Sequence, residues 1–199
     1  MTLSLPGFVD GHCHLDKTLW GMPWRPHVAG ATVAERIEAE RALRGTLPVP
    51  TIARGRALLE QMVACGTTAL RTHVDIDTAR KIDDLHAILE LREQNRERVD
   101  MQIVAFPQSG ILRDPGVAEL LDAALKAGAD LVGGLDPVGI DRDLGGHLDV
   151  VFALASRHGK GVDIHLHDGG ESGLAQIEDI AARAAASGLG GKVAISHAF

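Results

Sequence analysis

Asp10-Gly11-His12-Cys13-His14-Leu15-Asp16-Lys17 is the stretch on which the reading of this chain turns. Residues Phe8 to Leu15 suit a β-strand, in which residues two apart share a face. His12 and His14 therefore point one way and Cys13 the other. Two imidazoles side by side at a strand end make a two-nitrogen grip for a transition metal such as Zn or Fe. Such a pair also arises by chance on exposed strands, so its weight depends on what the remaining strands place beside it.

Outward from that strand one rhythm repeats. A short run rich in Val, Ile, Leu and His gives way to a loop and then to an Ala/Leu/Glu/Arg helix closed by Gly. Helices are expected over Val33 to Arg44 and over Thr51 to Ala64, the second stopped by Cys65-Gly66. Strand two is expected at Thr68 to Asp75 with helix Ala79 to Asn95, and strand three at Asp100 to Pro107 with helix Gly116 to Lys126. Strand four falls at Asp130 to Leu135 with helix Leu148 to His158, and strand five at Val162 to His167 with helix Leu174 to Ser187. Val193 to His197 is strand six.

Six alternating β and α units argue an α/β fold with a parallel sheet and helical crossovers. An open doubly wound sheet and a (β/α)8 TIM-type barrel both fit that count. No Gly-x-Gly-x-x-Gly turn follows the first strand and no Gly-Lys-Ser/Thr loop occurs, so neither nucleotide-binding version has a motif behind it. Polar residues crowd onto the C-terminal ends of strand after strand, as on the catalytic rim of a barrel. A complete barrel runs to about 250 residues. Residues 1–199 are therefore expected to form a partial barrel domain of strands one to six, with strands seven and eight absent.

Composition limits the function classes. The chain has 199 residues, 45% apolar and 24% charged, with a net charge of -7. That acidity gives no footprint for nucleic acid, which needs basic patches, and the aromatic content of 3% gives no stacking platform. No apolar run reaches the length of a membrane span. The first residues lack a basic segment followed by an apolar one, which leaves the cytoplasm as the expected location. The two cysteines, Cys13 and Cys65, give no disulfide framework.

Two further stretches repeat the histidine pattern. In Asp163-Ile164-His165-Leu166-His167-Asp168, Ile164 and Leu166 face the helices, so Asp163, His165 and His167 face inward. Ser196-His197 ends strand six. Three strands ending in inward histidines need a common reason, because buried polar groups without partners are costly. One shared metal supplies it, gripped by His12 and His14 from strand one, His165 from strand five and His197 from strand six. Such a site polarises a water, and a nearby carboxylic acid must move the proton. Asp168 is the best-placed candidate, with a helix-capping role as its rival, and Glu171 has the longer reach.

The remaining candidates are substrate contacts. Gln108 sits at the rim with an amide that donates and accepts together, which suits the edge of a nitrogen heterocycle. Arg71, His73 and Asp75 share a face of strand two, where they line the pocket floor or form a buried ion-pair layer; the layer suits Arg71, and His73 stays open. Two readings compete for His147, a reach over the pocket and a solvated cap. Trp20 and Trp24 either roof the pocket or anchor their loop. Strand four has no Lys to carry a bridging carbamate, which favours one metal over two.

Beyond these residues, the chain resembles the amidohydrolase superfamily, on the side of bacterial cytosine deaminase and relatives acting on triazines and other cyclic amidines. The resemblance rests on residues 5–17, on Arg71-Thr72-His73-Val74-Asp75, on residues 102–111, on residues 128–134, on Val162-Asp163-Ile164-His165 and on Ser196-His197. It implies His12, His14 and His165 as ligands of one divalent iron or zinc, completed by a strand-eight aspartate. It implies that His197 holds the water or substrate near the metal and that Gln108 contacts the ring. The family's proton shuttle is a glutamate three residues past the strand-five histidine, where this chain has Asp168. One methylene fewer shifts the carboxylate by about an ångström, enough to cost rate heavily. The small β-sandwich of the family has no counterpart. The expected activity is hydrolysis of a carbon–nitrogen bond other than a peptide bond, foremost deamination of a cyclic amidine. The alternatives are ring opening or dealkylation of a related heterocycle, and an inactive remnant or split subunit. The expected partner is a small heterocycle, and unpaired sheet edges suggest a homo-oligomer or a missing C-terminal half.

Overall fold

A computed structural model describes residues 3–26 and 30–198. Its strands are β1 (Phe8–Cys13), β2 (Thr67–Asp75), β3 (Asp100–Phe106), β4 (Leu131–Leu135), β5 (Gly161–Leu166) and β6 (Val193–His197). They lie side by side in chain order, and every neighbouring pair is parallel. The helices are α1 (Val33–Arg44), α2 (Thr51–Ala64), α3 (Asp83–Asn95), α4 (Val117–Ala127), α5 (Leu144–His158) and α6 (Gly170–Ala186). The result is a partial (β/α) barrel of six strands. Among the described residues no helix is long and apolar enough to cross a membrane.

Strand alternation separates two environments. Val74, Ile103, Val132 and Ile164 face the helices and join Leu85, Ile88, Leu121, Leu148 and Val151 in the main core. Their neighbours His73, Asp75, Asp163 and His165 take the opposite face, also buried. β4 contributes Gly133 and Gly134 at its centre. A Cβ on Gly133 would lie 2.5 Å from the Ala105 carbonyl oxygen, so β3 reaches its position only because that side chain is missing.

α1 shares the connection between the paired strands β1 and β2 with α2. Its Ile37 packs with Phe106, Leu135 and Ile140, at and beyond the C-terminal ends of β3 and β4. The helix thus lies across the mouth of the partial barrel. A capping box starts it, with Thr32 Oγ accepting from the Glu35 N–H and Glu35 accepting from the Thr32 N–H.

Three helix starts differ from expectation, each for a local reason. α3 begins four residues late because the Asp77 carboxylate takes the N–H groups of Ala79 and Arg80, and Lys81 adopts φ +55°. α5 begins four residues early: Asp143 caps it through the Gly146 N–H, and the Gly145-Gly146 pair conceals that turn from propensity. α6 also begins four residues early, at Gly170, inside a glycine-rich stretch.

Candidate functional site

Four histidines converge at the C-terminal ends of β1, β2 and β5. His12, His14, His73 and His165 each offer a ring nitrogen, and these atoms all lie within 4.8 Å of one another. His14 Nε2 and His165 Nε2 are 3.4 Å apart. β1 supplies its pair by the two-residue repeat, β2 places His73 opposite, and β5 places His165 at 3% exposure. His73, whose role the sequence leaves open, completes the quartet.

The cluster is electrostatically prepared for a cation. Burial, followed by His73 and His197, lowers His12 to about 4. Burial, followed by Lys17 and the neighbouring imidazoles, pushes His14 far below its ordinary value. Burial, then His73 and His14, does the same to His165. These rings are therefore neutral near pH 7, the form in which imidazole binds a metal. His14 Nδ1 and His165 Nδ1 are buried with no hydrogen-bond partner. His73 Nε2 lies 3.2 Å from Asp163 Oδ1, off the line of a hydrogen bond. Neutral nitrogens crowded together and left unsatisfied fit a divalent transition metal better than any internal partner.

A second layer adjoins the first. Asp16 and Asp75 approach His14 within 4.8 Å, but this carboxylate pair already has its cations. Arg44 binds Asp75 and Asp84, and Lys17 lies 3.3 Å from Asp75 and 3.2 Å from Glu40. Burial and the Asp75 charge raise Asp16 to about 7. Burial opposes the charge on Lys17, but Asp75, Glu40 and Asp16 more than offset it and raise its pKa.

His12, His14 and His165 open into a cavity of about 360 Å3, the size of a small-ligand pocket. α1 contributes Val33, Arg36, Ile37 and Glu40 to its wall, and Lys17, Gln108, Leu135, His167 and His197 line the remainder. His197 lies beside the cluster, its ring 5.0 Å from that of His12 and 5.1 Å from that of His165. His167 stacks on His197 at 4.3 Å, and its Nδ1 is 2.8 Å from Asp136 Oδ2. A larger cavity, about 470 Å3, opens at the opposite end of the strands. There Arg71 engages Asp163 and Gln102, and Arg92 engages Asp130, so the polar groups satisfy one another.

Other candidates fall elsewhere. The Asp168 carboxylate accepts from the Gly139 N–H at 2.9 Å and from Gln176 Nε2 at 3.0 Å, which holds it against the β4–α5 loop and outside the cavity lining. It is not the α6 cap, since Gly169 holds that position. Glu171 is exposed in the first turn of α6. His147 neither reaches over the pocket nor caps in solvent. It is buried behind β4, with Nδ1 2.7 Å from Asp141 Oδ2. Trp24 is 84% exposed and lines no part of the cavity. Cys13 faces the helices, where burial raises its thiol to about 12.

The comparisons agree with this geometry. The Amidohydrolase family profile matches residues 3–198. N-isopropylammelide isopropyl amidohydrolase of Pseudomonas sp. (strain ADP) is 34% identical over 99% of this chain and 50% of that protein. The crystal structure of N-isopropylammelide isopropylaminohydrolase from Burkholderia multivorans superimposes with a TM-score of 0.93 at 50% identity, over 98% of this chain and 49% of that one. That of 5-methylcytosine deaminase from Klebsiella pneumoniae gives 0.81 at 30% identity, over 97% and 47%. The chain thus spans about half the length of the relatives it matches. With the histidines, the parallel strands and the profile in agreement from one end to the other, the chain belongs to the amidohydrolase family.

Proposed function

We propose that these residues form the metal-binding part of a site that hydrolyses a carbon–nitrogen bond on a nitrogen heterocycle, foremost by deaminating cytosine or a similar cyclic amidine. The observation that carries the reading is the quartet of closely packed histidines, three of which, His12, His14 and His165, line a ligand-sized cavity. His12, His14 and His165 are the proposed ligands of one zinc or iron ion, with His73 against them. When bound, the metal supplies a Lewis acid that lowers the pKa of a water.

The chain's own groups orient the ring and handle protons around it. Gln108 presents an amide able to meet both a donor and an acceptor on the heterocycle. Lys17, kept charged by its carboxylates, offers three N–H donors at the wall beside α1. His197, beside the quartet, is placed to hold the water or the substrate. Proton transfer through Asp168 requires that it leave Gly139 and Gln176. Glu171 would reach the cavity only after movement of the α6 start. Activity, substrate and oligomeric partners are proposed for the whole protein to which these strands contribute.

A second reading, hydrolytic removal of an alkylated amine from a related ring, is favoured by the 50% identity to the Burkholderia protein. One experiment addresses both. The protein is purified, its metal content measured, and it is incubated with cytosine and with an N-alkylated aminotriazine. About one divalent transition metal per chain, with ammonia released from cytosine, supports deamination; alkylamine release supports the second reading. Folded protein that takes up no transition metal overturns both.

A further inference from the structure

Beyond β3 the chain makes a tight turn, Pro107-Gln108-Ser109-Gly110, closed by the Gly110 N–H donating to the Pro107 carbonyl at 2.9 Å. Gln108 lines the candidate cavity from this turn. Among the described residues its amide meets no hydrogen-bond partner, so the backbone decides where it stands. The far side of the turn is held from another loop. Ile111 buries its side chain in the main core, and a buried N–H there needs an acceptor. Asp141, between β4 and α5, supplies it. Its Oδ2 accepts the Ile111 N–H at 2.9 Å, and its Oδ1 accepts the Arg113 N–H at 3.1 Å. Gly110, with φ +91°, lies against the same carboxylate, and a Cβ there would come within 2.3 Å of Asp141 Oδ1.

The Asp141 side chain is wholly buried, and among the described residues no arginine or lysine pairs with it. Oδ2 also lies 2.7 Å from His147 Nδ1. Burial works against the Asp141 charge, but the His147, Ile111 and Arg113 hydrogen bonds more than offset it and lower its pKa. His147 in turn packs against β4, where a Cβ on Gly134 would lie 2.8 Å from its Nε2. The carboxylate is thus braced on β4 and directs its oxygens at the backbone that follows Gln108.

We propose that Asp141 is a positioning residue for Gln108. It lies outside the cavity lining. By holding Ile111 and Arg113 and filling the space over Gly110, it fixes the turn and presents the Gln108 amide to a bound ring in one place. The proposal rests on the reading that this cavity takes a nitrogen heterocycle. Loss of Asp141 should then weaken ring binding through the same contact that is lost with the Gln108 amide, so the two losses should overlap.

The test uses the full chain loaded with zinc and two probes, cytosine and an N-alkylated aminotriazine, titrated by calorimetry. The variants are Asp141→Ala, Asp141→Asn, Gln108→Ala and the double variant of the two alanines. Asn keeps an oxygen for the backbone N–H groups, and Ala keeps none. With a probe that binds the parent, Gln108→Ala and Asp141→Ala should each weaken affinity about tenfold. The double variant should lose no more than about twofold beyond either one. Asp141→Asn should stay within about threefold of the parent. Losses that multiply in the double variant, an Asn variant as weak as Ala, or full affinity in either alanine variant overturns the proposal. Should Asp141→Ala not fold, Asp141→Ser, too short to reach the loop, takes its place. Amide hydrogen exchange of the unliganded parent needs neither variant nor probe. The Ile111 and Arg113 N–H groups should be protected at least about tenfold, and rapid exchange of both overturns the proposal. If neither probe binds the parent, the heterocycle reading falls and the positioning role falls with it. Failure of the proposal alone is distinct, because the parent then binds a probe and Asp141→Ala binds it equally well.

Discussion

Two buried polar layers share the C-terminal ends of the strands and solve the same problem differently. In the carboxylate layer Asp16, Asp75 and Asp84 bring their cations with them, as Arg44 from α1 and Lys17 from beyond β1. In the histidine layer, nitrogens of four rings sit within 4.8 Å, with buried atoms that have no protein partner. The first layer finds most of its partners within the polypeptide, with Asp16 Oδ1 and Glu40 Oε1 left over. The second leaves four ring nitrogens, on His14, His73 and His165, without a protein partner. Burial of paired charge suits a structural role, and burial of unsatisfied ring nitrogens suits the ligand binding proposed above.

The contrast is most easily broken at Arg44. Arg44→Leu leaves three buried carboxylates short of their main counter-charge and should cost about 3–5 kcal/mol in urea unfolding. A loss below about 1 kcal/mol would show that the layer relaxes or hydrates. His165→Leu should do the opposite in metal-free protein, leaving stability within about 1 kcal/mol of the parent because an unsatisfied polar group is replaced by an apolar one. The same substitution should weaken metal affinity by more than about 100-fold, beyond the effect of losing an outer partner, as read by competition with a chelator. Lys17→Met removes one cation from a carboxylate layer that keeps Arg44 and Arg80, and should cost about 2 kcal/mol, the scale of a hydrogen bond to a charged group.

Acid gives the gentlest separation. The folded chain holds His12 at about 4 against an ordinary 6.5, so between those values the unfolded chain binds the extra proton. Stability of metal-free protein should therefore fall as pH falls from 6.5 towards 4. Bound metal should shift the onset of that loss to lower pH, because it binds only the neutral ring. Thermal midpoints measured with and without zinc across the window check the sign.

Much of this was legible in the sequence because it depends on short-range rules. The two-residue repeat aligned His12 with His14 and Asp163 with His165, and six Val/Ile-rich runs between helices required a parallel sheet. What stayed hidden depends on where loops return. Nothing in the spacing of Arg44 from Asp75 and Asp84 announces their contact, since α1 had to lie across the mouth first. His147 is adjacent to a glycine pair that looked like a loop, and the Asp143 cap drew it into α5 and behind β4. Asp168 stands at the expected distance from His165, yet Gly139 and Gln176, both remote in sequence, hold its carboxylate. The signal for His73 was present: it shares a strand face with Asp75, one buried polar residue beside another.

Arg44 fastens the end of α1 to the ends of β2 and α3, while Ile37 wedges the same helix onto Phe106 and Leu135. That wall of the cavity is therefore a fixed threshold, because lifting it would strip a guanidinium from two carboxylates. Across the opening stand His167, partly buried, and His197, exposed. Traffic to the histidine quartet should pass on their side, so a molecule entering the cavity meets the stacked imidazoles before it meets His12, His14 and His165.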